Sequence, residues 1–487
     1  MVQALVDMRS QFDDLQRQLS TGKKSDNYAG LGVERGLSVS LNAQMSAIAG
    51  YGTTIDTVMT RVNVAQSALT AMNQLSSSMT SGLSAGADAP SNGNSTQVNA
   101  QSWLQQMIGL LNTQAGDRYT FSGSATDKPA TASYDQIING DGARAGLTQV
   151  ISERNQADLG SNGLGRLAVT SPTSTSVQVA EDAVSPFGFK LGSVNSNLSN
   201  ATVTGPSGSP ASLSVDFTGQ PTDGQTITLG LNLPDGTTTN LTLTATTNSP
   251  PGANQFTIGA TPSATATNLQ NALSSALGST AQTTLKAAST VQASNEFFDG
   301  DSNNPPLRVN GPPFNTATSL TAGTSANTVI WYTGDASAGS ARSSATARID
   351  QSLTVNYGTR ADETGIRNLM QSAATRAAVT VASTDPNGAN FVSALDQRLS
   401  GAIDGSSGAQ TVTDIEAELA GVQTSLNGVK SSQQQTSNTL SSFLDQIQGV
   451  SNEQVGTELL ALQTRMQAAM QTTAMLYQTS LVNYIAA

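Results

Sequence analysis

The chain has 487 residues, enough for several domains, and carries 34 acidic against 22 basic residues, a net charge of -12. That balance, with few basic residues clustered, argues against a nucleic acid or an anionic membrane as partner. Cysteine and histidine are both absent, which excludes disulfides, Cys-His and Ser-His nucleophile pairs, and zinc sites built on those ligands.

Only 11% of residues are charged and 4% aromatic, a usage that is unusual for a compact enzyme. It suits assemblies in which uncharged polar surfaces pack against copies of themselves. The first residues, Met1 to Arg9, have an early acid, Asp7, and no unbroken apolar run, so they do not read as a secretory signal peptide. No stretch reaches the roughly 20 apolar residues that cross a bilayer. Export is therefore expected to use no cleaved leader.

Taken in order, Met1, Leu5, Met8, Phe12, Leu15 and Leu19 step by four and three, the spacing of a helix with one narrow apolar seam. Gly22, in Ser20-Thr21-Gly22-Lys23-Lys24, is the expected stop, and the two lysines complement the helix dipole. After the polar loop Asp26-Asn27-Tyr28-Ala29-Gly30, a long helix is expected over 31–83. Its seam runs through Leu41, Met45, Ile48, Ile55, Met59, Val62, Ala65, Leu69, Met72, Ser76, Met79 and Leu83. A loop over 88–93 and a third helix over 95–113, burying Ala100, Leu104, Met107 and Leu111, complete the N-terminal part.

Tyr119 and Phe121 alternate with polar residues, as in a short strand. From 127 to 339 helical periodicity gives way to short alternating runs. Residues 226–233 and 239–245 flank Pro234-Asp235-Gly236, a hairpin signal. Residues 256–258 add a strand, 264–277 read as an amphipathic helix, and 301–318 as a loop. Residues 328–332, 347–350 and 353–358 read as strands of a small sheet. Asp299, Asp301 and Asn303, and likewise Asp350, Asp362 and Glu363, read as solvated turn residues rather than metal ligands. No catalytic, cofactor or metal residue is expected.

Helix returns from 361, with Ile366, Leu369, Met370 and Ala373, then 391–403. From about 411 a four-three pattern runs through Ile415, Leu419, Val422, Leu426, Val429, Gln433, Thr436, Leu440, Phe443, Ile447 and Val450. Gln433 and Thr436 give this seam a soft polar middle. A second run follows: Val455, Leu459, Leu462, Met466, Ala469, Thr473 and Leu476, with Met470, Tyr477, Leu481, Tyr484 and Ile485 beside it.

The fold expected is mainly α: a long-helix rod, a coiled-coil-like bundle of N- and C-terminal helices, with an inserted β-rich outer domain. Its divisions are 1–125 and 361–487 for the helical arms, 126–189 for a transition segment, 190–320 for the β-rich insertion and 321–360 for a small β segment. The predicted assembly seam is Leu5, Phe12, Leu19, Ile415, Leu419, Leu426, Leu440, Ile447, Leu459, Leu462, Met466, Leu476 and Leu481.

The turn Leu19-Ser20-Thr21-Gly22-Lys23-Lys24, the loop closing in Tyr28-Ala29-Gly30, and the terminal run with Leu462-Gln463-Thr464 and Leu481-Val482-Asn483-Tyr484 resemble the bacterial flagellin superfamily. That family includes filament flagellins and the protein joining hook to filament. Gly116-Asp117-Arg118-Tyr119-Thr120-Phe121-Ser122-Gly123 and Val329-Ile330-Trp331-Tyr332 are more like the junction branch. The resemblance covers roughly 1–125 and 325–487. The Ser-Thr-Gly turn arrives earlier than is usual in the family, so a late start or a shortened innermost helix is expected. The resemblance implies an extracellular, non-catalytic flagellar subunit, exported unfolded by the flagellar type III system with the help of an export chaperone. It implies self-assembly with copies or related axial proteins. The competing reading is a secreted helical-stalk adhesin or effector that binds through 190–320. An enzyme hosted in the insertion has neither an HExxH site nor a GxSxG elbow to work with.

Overall fold

The computed structural model describes residues 2–88, 94–403 and 408–485, with side chains placed for 3–88, 95–403 and 408–478. Apart from Asp88, the loop expected over 88–93 lies outside the described residues. Helix α1 (Val2–Thr21) stops at Gly22, whose φ of +69° suits glycine. A 3-10 turn over Tyr28–Glu34, capped by Asn27 accepting from the Gly30 amide, leads into the long α2 (Arg35–Asp88). Helix α3 (Asn94–Leu111) follows, burying Ala100, Leu104, Met107 and Leu111 as their spacing predicts.

Strands β1 (Gln114–Ala115) and β2 (Arg118–Tyr119) pair around Gly116. Helix α4 (Tyr134–Asn139) opens with a reciprocal Ser133–Gln136 capping box and is followed by α5 (Leu147–Leu159). Eight strands come next: β3 (Leu167–Thr170), β4 (Ser176–Glu181), β5 (Lys190–Ser196), β6 (Ala201–Ser207), β7 (Ser212–Phe217), β8 (Thr226–Asn232), β9 (Thr238–Thr246) and β10 (Gln255–Thr257). Helix α6 (Pro262–Thr280), capped by Thr261, continues through a π turn at Ala281–Leu285 into α7 (Lys286–Phe298). The short strands β11 (Leu307–Val309) and β12 (Leu320–Ala322) pair, as do β13 (Thr346–Arg348) and β14 (Thr354–Asn356). The chain ends in α8 (Thr364–Ala378), α9 (Gly388–Ile403), α10 (Val412–Gln448) and α11 (Asn452–Ile485).

These elements fall into two compact units: 1–59 with 347–355 and 422–487, and 60–346 with 356–421. Helices with an inserted β region are thus what the sequence builds. In the first unit, α1 packs along α11. Leu41 of α2 and Leu440, Leu444 and Ile447 of α10 form one buried cluster, with Met45 and Ile48 against it.

In the second unit the β strands form two four-stranded sheets, ordered β3-β4-β7-β6 and β10-β9-β8-β5. All pairs are antiparallel except β10 on β9. Strands β8 and β9 alternate Leu or Ile inward with Thr outward, and Thr228 and Thr242 pair across the outer face at 2.9 Å. The inward side chains, with Leu269, Leu273 and Leu277 of α6, make one continuous apolar core. A second core joins Leu83, Phe391, Val392, Leu395 and Leu399. Helix α10 lies on α2 in this unit through Glu416, which accepts from Thr70 and Asn73.

Three readings change here. The β-rich region begins at Leu167 rather than 190, because β3 and β4 share a sheet with β6 and β7. The loop expected over 301–318 holds β11, and its partner β12 follows it. Residues 328–332 form no regular strand. They make isolated bridges, Ala145 with Thr328 and Thr131 with Tyr332, and Trp331 is buried with its indole donating to Phe298 O at 2.9 Å.

The second unit also buries charge. Arg154 lies 2.8 Å from Asp158 and 2.5 Å from Glu296, and its guanidinium sits over the Phe187 ring. Arg376 Nε lies 2.8 Å from Asp396 Oδ1, joining α8 to α9 with both side chains wholly enclosed. Burial outweighs the pull of that guanidinium and pushes the Asp396 carboxyl up to about 6.

Candidate functional site

The predicted assembly residues of the two chain ends meet in the first unit. On α1, Leu5, Met8, Phe12 and Leu15 are half-buried at four-three spacing, the face that α11 covers. On α11 the facing row is Val455, Leu459, Leu462, Met466, Ala469 and Thr473, buried or half-buried in the same rhythm. Leu426, Leu440 and Ile447 are buried on α10. Ile415 and Leu419 are fully buried too, but belong to the second unit. Leu19 and Leu476 stay exposed. The side chain of Leu481 lies outside the described residues.

A clasp fixes the two helix breaks to one another. Lys24 N donates to Gln448 O at 2.7 Å and Val450 N donates to Gly22 O at 3.1 Å, a short antiparallel bridge between the α1 stop and the α10–α11 joint. Gln448 Nε2 then donates to the Ser38 hydroxyl at 2.5 Å, and Ser38 is fully buried. Gly449 is needed for close approach, since a Cβ there would lie 2.3 Å from Asp445 O. The Ser-Thr-Gly turn is thus one half of a joint whose other half is Gln448-Gly449-Val450. Sequence reading found the first half from its glycine and missed the second, whose partner lies more than 400 residues away in the chain.

Elsewhere on the helices of this unit, large apolar side chains face outward. Val6 is exposed on α1, Leu37 and Val39 on α2, and Leu460, Met470, Met475 and Tyr477 on α11, the last 74% exposed. No charged residue follows Arg465 in the chain. The ion pairs nearby, Arg17 with Asp14 and Asp26 at 3.2 Å, are solvent-exposed and contribute little. The first unit holds eight basic and ten acidic residues, a net charge of -2, so -10 of the chain's -12 sits in the second unit. A nearly neutral surface with exposed apolar side chains is suited to close contact with another protein surface.

Phe443 is a correction to the seam. It is 48% exposed, and Leu444, one residue on, is buried in its place. Gln433, expected as a soft spot, is buried, and its Nε2 donates to Ile349 O at 2.6 Å.

In the second unit a cleft of about 540 Å³ is lined by Asn73, Ser76, Thr80, Asn368, Thr411 and Thr413 among others, hydroxyls and amides without a charged side chain. A smaller hollow between Arg342, Arg360, Asp362, Glu363 and Glu418 has its charges paired internally. Burial pushes Glu363 up while Arg342 pulls it back. Among the described residues no cluster of three or more acids is placed to hold a metal ion, and no helix is long and apolar enough to cross a membrane. Comparison with known proteins finds no family model, no curated protein and no solved structure that matches this chain.

Proposed function

We propose that the chain is a structural subunit of the bacterial flagellum, exported by the flagellar type III system and assembled through its terminal helices, in the filament or at the hook–filament junction. The observation that carries this reading is the first unit. Both chain ends fold on one another there, at almost zero net charge, and leave Val6, Leu460, Met470, Met475 and Tyr477 exposed along α1 and α11. Fully covering side chains of this size stabilises a contact by about 1.5–3 kcal/mol each. A contact between two different patches on identical copies does not close on itself, and repeats into an open filament.

In this reading α1, the start of α2, the end of α10 and α11 form the bundle that neighbours extend. The partners are copies of the chain or related axial proteins. Before assembly, an export chaperone covers the terminal segments, which fold fully on binding. The protein works outside the cell, in swimming motility, and has no catalytic role.

The test is deletion of residues 455–487, followed by a motility assay and electron microscopy of the cells. Loss of filaments or of their attachment is expected. Normal flagella and normal swimming would refute the proposal.

A further inference from the structure

Helix α10 carries two overlapping apolar stripes in the first unit. Both share Leu426, Gln433, Leu440 and Ile447. One adds the positions three residues on, Val429, Thr436, Phe443 and Val450; the other adds those four on, Lys430, Ser437 and Leu444. At 100° per residue the two stripes are centred about 50° apart around the helix. The first is the more apolar. Before Gln433 the first stripe is the covered one, Val429 being half-buried and Lys430 exposed, yet beyond it Leu444 is buried while Phe443 is exposed, and Ser437 is half-buried while Thr436 is exposed. Burial of apolar area alone would choose the other stripe. A directional interaction must hold the helix as it is.

Besides the Gln448–Ser38 bond of the clasp, which holds the end of the helix, two such interactions reach the middle of α10 among the described residues. Lys430 Nζ lies 2.5 Å from Asp56 Oδ1 on α2, but both groups are more than half exposed and the pair contributes little. The other is Gln433. Its Nε2 donates at 2.6 Å to the carbonyl of Ile349, whose own side chain is fully buried. Ile349 sits in the segment 347–355, the one part of this unit drawn from mid-chain. A turn of about 50° would move a side-chain tip, about 5 Å from the axis, through about 4 Å, which breaks this bond. The carbonyl would be left buried and unpaired. Gln433 Oε1 is already buried without a hydrogen-bond partner. A polar side chain kept in an apolar seam under that burden has the character of a register device.

We infer that Gln433 sets the rotation of α10: by bonding the 347–355 segment it selects the Leu444 stripe over the Phe443 stripe. The chain has no cysteine, so the setting can be read with single cysteines in the full-length protein. Thr436→Cys and Ser437→Cys are compared for labelling rate with a thiol reagent, leaving Phe443 and Leu444 in place. With Gln433 intact, the thiol at 436 reacts several-fold faster than that at 437. In Gln433→Leu, and in Gln433→Met, whose unbranched side chain fills the same space without the amide, the ratio falls to near one or inverts. Circular dichroism confirms that the helices persist. A ratio that keeps its several-fold value in Gln433→Met overturns the inference, as does faster labelling at 437 in the parent chain. Neither outcome depends on whether the chain assembles.

Discussion

Replacing Arg376 by methionine probes the second unit most directly. Arg376 and Asp396 face each other at 2.8 Å in a site that excludes solvent. Helix α2 closes the far side of the carboxylate, where a Cβ on Gly86 would lie 2.3 Å from Oδ2. The folded protein raises the Asp396 carboxyl from 3.8 to about 6, so between these values it binds the proton more tightly than the unfolded chain does. Stability from this group is therefore fully present below about pH 4 and is lost as pH rises through 6. Without the guanidinium, burial drives the carboxyl higher still, and it stays protonated at neutral pH. Above pH 6 the variant therefore goes on losing about 1.4 kcal/mol per pH unit that the wild type does not lose. With the loss of a buried partner, Arg376→Met should cost about 3 kcal/mol or more at pH 7, and about 1–1.5 kcal/mol less at pH 5. The two tryptophans, Trp103 and Trp331, both lie in the second unit, so guanidinium unfolding followed by their fluorescence reads this unit. A loss that is the same at pH 5 and pH 7, or a variant as stable as the parent, would show that the pair does not govern Asp396. The double change Arg376→Met with Asp396→Leu should recover much of the loss, because no charge is then left buried.

Leu444→Ala should cost about 2–3 kcal/mol and Phe443→Ala less than about 1 kcal/mol, read from helix unfolding by circular dichroism; the reverse order would mean that the other stripe is the buried one. Gly22→Ala forces a side chain into a φ of +69° and should cost about 1–2 kcal/mol. It should also speed hydrogen exchange at the amides of Lys24 and Val450, which cross the clasp.

The helical arms were legible because their period is long and regular. Ala100, Leu104, Met107 and Leu111 repeat often enough to fix which face is buried. The choice between Phe443 and Leu444 was not legible, because both satisfy a four-three pattern and the deciding bond goes to Ile349, 84 residues away. In the β region, Pro234-Asp235-Gly236 announced its hairpin through local turn chemistry, and Gly236 does adopt a φ of +80°. Strands β3 and β4 gave no such signal: they are short, and β4 is held in the sheet by β7, more than 30 residues further along the chain. Residues 328–332 show the opposite failure. Their β-branched and aromatic character reflects burial around Trp331, not ladder pairing. Ion pairs such as Arg154 with Glu296 join residues 142 apart and leave no trace in local pattern.

The uneven placement of charge has a consequence for solubility. Copies of the chain repel one another through the second unit, which holds nearly all the excess acid. That repulsion reaches only about 8 Å at physiological ionic strength and about 30 Å in dilute buffer. Desalting therefore holds molecules apart by a force that spares the apolar helices of the first unit, and restoring salt removes the barrier without altering a single contact within the fold.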